Sequence, residues 1–328
     1  MRPSLRLCLL VISSVLLLAA CAMRTTPTPA SAQKSTNGID ATPEAARLSL
    51  TLKDPTKLRL IVIGDTGAPG EVIGKWRKSI RAERKDAVLV TGDLLYPEAP
   101  LCPSGRLTEA GRTMIDAHLG DILSGLGAPT YLLLGNHDVS HDRYEARRER
   151  CVLNYIAGFD DLILPATNYT VDFGIALLGI VDTNKLDDGA AAVISEGYAG
   201  HSGAKLLAGH HTLKTYHDKE KQDIVRPWIG EHGIKPHMYL NGHAHLLQFG
   251  VYDSIPALTS GTGRYPRERP ICPGHCGPGQ LWGVSDPGYA VLEVTQGAAG
   301  THRLSVEFKD ADGRSLWTWD NGIATVAP

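Results

Sequence analysis

Four predicted strands of this chain each run straight into a glycine and then into a side chain that can bind a metal ion. Each is a short, largely apolar run, which is typical of a buried strand. The junctions are residues 59–63 before Gly64-Asp65, 87–91 before Gly92-Asp93, 130–134 before Gly135-Asn136-His137-Asp138, and 237–241 before Gly242-His243-Ala244-His245. In open α/β sheets, ligands bind beyond the carboxyl ends of the strands. Four such strand ends therefore predict that these side chains meet around a metal centre.

Strand and helix patterns alternate in the first part of the chain, and strands dominate the second part. Predicted helices near 70–84 and 107–124 separate the early strands, and a charged helical stretch near 142–152 follows. A further helix is predicted near 218–231. The remaining predicted strands are 169–173, 175–181, 204–208, 255–259, 288–295 and 303–308. This pattern predicts an α/β fold with two packed mixed β-sheets flanked by helices.

The first 20 residues have the pattern of an export signal. Arg2 and Arg6 make a basic start, and residues 7–20 form an apolar run that is shorter than the roughly 20 residues of a membrane span. The run ends in Leu18-Ala19-Ala20-Cys21, which resembles the lipobox of bacterial lipoproteins. That resemblance implies cleavage before Cys21, its lipidation, and anchoring in the bacterial cell envelope, at the outer membrane or in the periplasm. The alternative is an ordinary secretory signal, with Cys21 incidental.

The remainder divides into a linker and a catalytic domain. Residues 21–55 include a tract rich in Pro, Thr and Ser, which is too poor in apolar residues to order itself and predicts a lipidated, disordered tether. Residues 56–328 are predicted to form the catalytic domain. The formal net charge of −2 gives no electrostatic footprint for nucleic acid. The expected partners are a small substrate and the membrane that holds the predicted anchor.

Four cysteines remain once Cys8 is removed with the signal and Cys21 is lipidated. They allow three pairings, and an exported protein oxidises its thiols. Cys272 and Cys276 could close a short local loop, which would leave Cys102 to pair with Cys151. The alternative is a zinc knuckle that uses the nearby His275.

The ordered set of motifs resembles the calcineurin-like metallophosphoesterases over roughly residues 58–300. Besides the four junctions, the set includes Gly209-His210-His211 at the end of a predicted strand. The resemblance implies a four-layer sandwich in which two sheets lie between helices.

Two details of the motifs resemble the purple acid phosphatase branch of this superfamily. Thr66-Gly67 follows Asp65, whereas most members have a histidine two residues after this aspartate. Tyr96 stands three residues after Asp93, and most members lack this tyrosine. The branch resemblance implies two groups of metal ligands that share one carboxylate. The first metal would be held by Asp65, Asp93, Tyr96 and His245, and the second by Asp93, Asn136, His210 and His243.

The chemistry of the two ligand groups suits different ions. Two carboxylates and a phenolate form a hard, anionic set that favours a trivalent ion such as Fe³⁺. Two neutral imidazoles, an amide oxygen and a shared carboxylate suit a divalent ion such as Fe²⁺, Zn²⁺ or Mn²⁺. The sequence therefore predicts two metal ions, Fe³⁺ with a divalent iron, zinc or manganese.

The resemblance implies hydrolysis of phosphate monoesters, with metal-bound hydroxide as the nucleophile and His137 as the general acid. An alternative role for His137 is orientation through a hydrogen bond with Asp138. His217 could contact phosphate, although its spacing from His210 is shorter than in relatives. Arg264 could bind a substrate anion.

Two other functions stay open, and one segment departs from the family pattern. The same site could hydrolyse phosphodiesters or nucleotides, because sequence does not show the width of a cleft. The chain could also be a surface lipoprotein that binds metal without turnover, although His137 would then be unnecessary. Residues 185–200 lack the Gln and Trp-Leu that many relatives carry in a helix here and contain several glycines, so the sequence leaves the fold details and the pocket shape of this segment open.

Overall fold

The computed structural model describes residues 46–100, 106–139, 151, 153–214, 224–264, 266 and 278–320. In chain order the first elements are β1 (Ala46–Ser49), β2 (Lys57–Ile63), α1 (Glu71–Ala82), β3 (Ala87–Val90), α2 (Glu109–Ile115), a π-helical turn (Asp116–Gly120), α3 (Asp121–Leu123), β4 (Thr130–Leu132), β5 (Leu162–Ile163), β6 (Tyr169–Asp172) and β7 (Ala176–Ile180). They are followed by α4 (Asp188–Tyr198), β8 (Ala204–Ala208), α5 (Val225–Glu231), β9 (Met238–Asn241), β10 (Leu247–Tyr252), β11 (Ile255–Ser260), β12 (Gln280–Val284), β13 (Gly288–Gln296), a 3₁₀ turn (Ala298–Gly300), β14 (His302–Asp310) and β15 (Ser315–Asp320).

The strands form two mixed sheets, as the sequence predicts. One has seven strands in the order β15-β14-β13-β2-β3-β4-β5, and the other has eight in the order β1-β6-β7-β8-β9-β11-β10-β12. In the seven-stranded sheet β2 to β5 are parallel, and in the eight-stranded sheet β7, β8 and β9 are parallel. The carboxyl ends of these parallel strands carry the candidate ligands.

Alternating side chains of the eight-stranded sheet show how the layers stack. On β7, Leu178 and Ile180 belong to the large core shared with the seven-stranded sheet, whereas Leu177 packs with residues of α4 and α5. On β9, Leu240 likewise faces the shared core and Tyr239 faces the helices. Successive side chains of a strand point to opposite faces, so one face covers the other sheet and one face is covered by helices.

Helix α1 covers the seven-stranded sheet and reaches a loop of the site. Its apolar residues Ile73, Trp76 and Ile80 recur at helical spacing and are buried in the shared core. Trp76 also donates a hydrogen bond from Nε1 to the carbonyl oxygen of Gly263, at 2.8 Å. The helix thereby fixes the loop that follows β11.

An aromatic cluster joins the edges of the two sheets. Trp282 of β12 stacks on Trp317 of β15, with ring centroids 5.4 Å apart and planes 6° apart. Phe308 packs against both tryptophan rings, and Phe249 packs against Trp317. Because β12 and β15 are edge strands of different sheets, this cluster closes the sandwich at that edge.

The folded region begins earlier than predicted, so the predicted linker 21–55 is too long. β1 pairs in parallel with β6, and Leu52 is buried. The missed signal is the spacing of Leu48, Leu50 and Leu52, because apolar residues at every second position indicate a strand. Residues 1–45, which carry the predicted signal and Cys21, lie outside the described residues.

Several other predictions differ from the structure in detail. Within the segment 185–200, whose details the sequence left open, α4 spans Asp188–Tyr198, and Asp187 caps it by accepting a hydrogen bond from the backbone N–H of Ala190. The predicted helix 218–231 is described from Ile224 onward, and most of the stretch 142–152 is outside the described residues. Among the described residues, no helix is long and apolar enough to cross a bilayer.

Candidate metal centre

Asp65 and Asp93 place two buried carboxylates side by side. They follow the neighbouring parallel strands β2 and β3, and the backbone N–H of Asp65 donates to the carbonyl oxygen of Gly92 at 3.0 Å. Both residues are at most 1% exposed. A side chain at Gly135 would overlap Asp93 Oδ1, which explains why a glycine precedes Asn136 in the third junction. The glycine lets the third loop approach the carboxylates.

Four donor atoms form a first convergent group. The Tyr96 hydroxyl lies 2.7 Å from Asp93 Oδ2, 3.2 Å from Asp65 Oδ1 and 3.2 Å from His245 Nε2. His245 Nε2 lies 3.3 Å from Asp65 Oδ1. Three of these residues come from the loops after β2 and β3, in the seven-stranded sheet, and His245 comes from the loop after β9, in the eight-stranded sheet. The first group therefore spans both sheets.

A second group converges beside it. Asn136 Oδ1 lies 3.1 Å from His210 Nε2 and 2.9 Å from His243 Nδ1, and the two imidazole nitrogens are 3.2 Å apart. His210 Nε2 is also 3.3 Å from Asp93 Oδ1. Asp93 therefore offers one carboxylate oxygen to each group.

The spacing within both groups fits metal ligands. Atoms bound octahedrally at about 2.1 Å from one ion lie about 3.0 Å from their neighbours. His210 Nδ1 donates to the carbonyl oxygen of Thr91 at 2.8 Å, which leaves Nε2 as the lone-pair nitrogen. Asp65, Asp93 and His210 each have a ligand atom within 4.8 Å of the others. The donor set present therefore fits two metal ions.

Four of the candidate ligands have a left-handed backbone. The residues concerned are Asp65, Asp93, His243 and His245, with φ between 52° and 66°. Non-glycine residues rarely adopt this conformation, which costs on the order of 1–3 kcal/mol each and clusters at functional sites. The sharp turns at these four residues direct each side chain back across the carboxyl ends of the strands.

The charges of the site favour the binding of a cation. Burial, followed by the charge of Asp93, raises the pKa of Asp65 well above its ordinary value. Burial and the two carboxylates also raise the pKa of the Tyr96 hydroxyl. Although burial alone would lower it, the Asp93 carboxylate raises the pKa of His210 to about 10. Bound metal ions would supply the positive charge that this anionic cluster lacks.

Asp138 holds the loops together and does not orient His137. Its Oδ1 accepts hydrogen bonds from the backbone N–H groups of Leu94 and Leu95 at 2.8 and 3.0 Å, and its Oδ2 accepts from Gly135 at 2.7 Å. His137 instead donates from Nδ1 to the carbonyl oxygen of Pro97 at 2.5 Å. The alternative role of His137, orientation by a hydrogen bond with Asp138, is therefore not observed, because backbone donors occupy this carboxylate; a catalytic role of Asp138 itself stays a prediction.

The remaining predicted residues are only partly described. Arg264 is half-buried, and its Nε donates to the carbonyl oxygen of Pro69 at 2.8 Å, which ties the loop after β11 to the start of α1. Cys151 is buried and forms no disulfide with another cysteine of the described residues. His217, Cys102, Cys272 and Cys276 lie outside the described residues, so the disulfides and the role of His217 stay predictions.

Asp182-Thr183-Asn184 ends the predicted strand 175–181, and sequence reasoning assigned this triplet no role in the site. Thr183 accepts hydrogen bonds from the backbone of His210 and His211, and Asn184 donates to the carbonyl oxygen of Gly135. The available signal was a polar triplet directly after a buried strand, the same signal that marks the ligand junctions. The triplet carries none of the ligand atoms described above, so the metal-ligand pattern did not select it.

Fold and site together define a metal-dependent hydrolase, and comparison with protein families names the class. The model of the family "Calcineurin-like phosphoesterase" matches residues 58–247, which is more than half of the chain. The chain belongs to this family of phosphoesterases. No curated protein sequence matches it significantly.

Solved structures with the same fold are distant in sequence. GAP50, the anchor in the inner membrane complex of Plasmodium, has a TM-score of 0.60 at 14% identity, over 82% of this chain and 90% of that one. A purple acid phosphatase from yellow lupin seeds has a TM-score of 0.57 at 15% identity, over 80% of this chain and 53% of that one. PhoD has a TM-score of 0.53 at 9% identity, over 85% and 73%. These similarities show the fold.

Proposed function

We propose that the protein is a binuclear metal-dependent phosphatase of the purple acid phosphatase type, acting on phosphate monoesters. The observation that carries this proposal is Asp93, whose two carboxylate oxygens reach two separate convergent groups of donors. A shared carboxylate supports two ions held close together. When bound, two such ions activate a water molecule and neutralise the charge of the phosphate.

The donor types support one hard and one softer ion. The group of Asp65, Asp93 and Tyr96, with His245, suits Fe³⁺, and the group of Asn136, His210 and His243, with Asp93, suits divalent iron, zinc or manganese. The buried hydrogen bond from His210 to Thr91 fixes the tautomer that presents Nε2 to an ion. The chain therefore directs His210 Nε2 at the position proposed for the divalent ion.

His137 is the residue proposed to protonate the leaving group. Its Nδ1 is held by Pro97, and its ring packs on the Tyr96 ring with centroids 4.6 Å apart. This fixed orientation leaves Nε2 for the substrate, and the ring lies beside the first group of donors. A general acid must sit within reach of the departing oxygen. His137 is not part of either donor group, which favours a catalytic site over one that only stores metal.

The substrate class is tested by comparing a monoester with a diester. Metal-loaded protein should hydrolyse p-nitrophenyl phosphate faster than bis(p-nitrophenyl) phosphate. A preference for the diester or for a nucleotide would favour the alternative of a phosphodiesterase or nucleotide hydrolase on the same site. If neither ester turned over with iron, zinc or manganese, the non-catalytic alternative would replace the phosphatase.

Tyr96→Phe should remove a visible absorption band from the iron-loaded protein. Burial and the adjacent carboxylates raise the pKa of Tyr96, so in metal-free protein the phenol keeps its proton. A trivalent ion beside the oxygen reverses this balance, and tyrosinate bound to ferric iron gives a pink-to-purple charge-transfer band. The measurement is a visible spectrum with iron analysis of the purified protein.

Tyr131→Phe is the control for this spectrum. Tyr131 is another buried tyrosine, in β4, whose pKa burial raises to about 12, but it lies in the shared core. This variant should keep the band. An active wild-type protein that holds zinc or manganese and is colourless would rule out the purple acid phosphatase assignment while leaving phosphoester hydrolysis intact.

We further propose export to the bacterial envelope and anchoring through lipid at Cys21. The support is the lipobox-like sequence at residues 18–21. Cys21→Ser should move the protein from the membrane fraction to the soluble periplasmic fraction, because the acylated thiol is lost. The measurement is fractionation with lipid labelling, and Cys8→Ser, inside the predicted signal, should change neither. Unchanged membrane binding of the Cys21 variant would contradict the anchor.

A further inference from the structure

The turn at the end of β7 contacts two of the loops that carry the second group of donors, those of Asn136 and His210. Thr183 Oγ1 accepts hydrogen bonds from the backbone N–H of His210 at 3.2 Å and of His211 at 3.1 Å. Thr183 is 1% exposed, so water does not substitute for this acceptor. The hydroxyl therefore holds the backbone of the His210 loop in place.

The same hydroxyl fixes the ring of His211. A threonine hydroxyl has one proton and two acceptor positions, and the two backbone donors fill both acceptor positions. Its proton therefore goes to His211 Nδ1, which lies 2.7 Å from Thr183 Oγ1. His211 is held as the tautomer with a proton on Nε2. Its ring packs against that of His243 with centroids 4.7 Å apart, and against that of His210 at 5.3 Å.

The other side of the turn holds the loop of Asn136. Asn184 Nδ2 donates to the carbonyl oxygen of Gly135 at 3.2 Å, directly before Asn136. The same nitrogen lies 2.7 Å from Asp182 Oδ1, which also accepts from the backbone of Asn184 at 2.9 Å. Asp182 is 3% exposed and anchors the turn. The turn thus connects the loops after β4 and β8, whose strands belong to different sheets.

We propose that Asp182-Thr183-Asn184 is a positioning element for the second metal, and that Thr183 acts on it through His210, His211 and His243. This inference rests on the two metal positions of the proposed function, and not on the reaction catalysed. The turn supplies no metal ligand. It sets the distance between Asn136, which follows a strand of the seven-stranded sheet, and the two imidazoles, which both follow strands of the eight-stranded sheet.

The test is a titration of metal-free protein with zinc alone, read as the number and affinity of bound ions. Wild-type protein should bind two ions. Thr183→Val keeps the shape of the side chain but loses the hydroxyl. It should lower the affinity for the second ion by about 10- to 100-fold, which is the usual effect of removing the hydrogen-bond partner of a metal ligand. The first ion should bind as before.

Two further variants separate positioning from general damage. Thr183→Ser keeps the hydroxyl and should bind the second ion with wild-type affinity. Thr170→Val makes the same change at another buried threonine of the eight-stranded sheet, in β6, and should bind both ions normally. Asn184→Ala is made at a half-buried position. It should also lower the affinity for the second ion only.

The outcomes distinguish this inference from the phosphatase proposal. If Thr183→Val and Asn184→Ala both bound two ions with wild-type affinity, the positioning role would be overturned. A wild-type protein that binds two ions and hydrolyses no phosphate ester would contradict the phosphatase proposal while leaving the role of the turn intact. Binding of a single ion by wild-type protein would overturn the role of the turn.

Discussion

Asp93→Asn is expected to abolish metal binding in both donor groups and, with it, activity. The carboxylate lies within 2.7 Å of the Tyr96 hydroxyl and 3.3 Å of His210 Nε2, so its charge serves both groups. Bound ions contribute several kcal/mol of transition-state stabilisation, so turnover should fall by roughly a thousandfold or more. Metal analysis after dialysis and phosphatase assays measure the two effects. The melting temperature of this variant should also stop responding to added metal.

Asp86→Asn is the matched control for Asp93. Asp86 precedes β3 and Asp93 follows it, so the same substitution is made beyond opposite ends of one strand. Asp86 accepts a hydrogen bond from the backbone of Arg59 and touches no candidate ligand. Its variant should keep both ions and most of the activity. Two tightly bound ions in Asp93→Asn would contradict the bridging role of Asp93.

His137→Ala should lower turnover by about 10²–10⁴-fold while leaving both ions bound, which is the usual contribution of a general acid. The loss should depend on the leaving group. An alkyl phosphate releases a basic alkoxide that needs the proton, whereas p-nitrophenyl phosphate releases a stable anion. We therefore expect a large loss with the alkyl ester and a small one with the aryl ester. Steady-state kinetics with both substrates and metal analysis measure this.

A purely structural role for His137 would give a different result. The His137 ring packs on Tyr96, so loss of packing alone would lower both activities by the same factor. His232→Ala, a histidine that contacts Trp228 on the helical face, provides the comparison and should leave both rates unchanged. Equal losses on the two substrates would count against the general-acid role.

The two-sheet fold and the convergence of the site residues could be predicted from the sequence for one physical reason. Parallel strands align their carboxyl ends, so a ligand placed just after each strand must meet the others. The apolar runs before Asp65 and Asp93 are short and end abruptly, which made both the strands and the junctions recognisable. The two-sheet fold is confirmed, and the structure brings Asp65, Asn136 and His210 together from different sheets.

The parts that sequence did not show depend on contacts between distant segments. Edge strands such as β12 and β15 carry mixed polar and apolar residues because one side faces solvent, so their patterns are weak. Asp138 accepts hydrogen bonds from Leu94 and Leu95, which precede it in the chain by 44 and 43 residues. No local pattern indicates such a long-range pairing, and the adjacent residue His137, the partner that the sequence offered as an alternative, does not bond to Asp138.

Because Asp65, Asp93, His243 and His245 are candidate ligands with a left-handed backbone, the stability of this fold is expected to depend on free metal. Glycine would relieve those turns but would supply no ligand, so the metal-free chain retains the strain. An ion that binds only the folded state stabilises it, by about 2.7 kcal/mol at a concentration one hundred times its dissociation constant. Scarcity of metal would therefore lower the amount of folded protein as well as its turnover, and the cellular abundance of the protein would follow the metal supply.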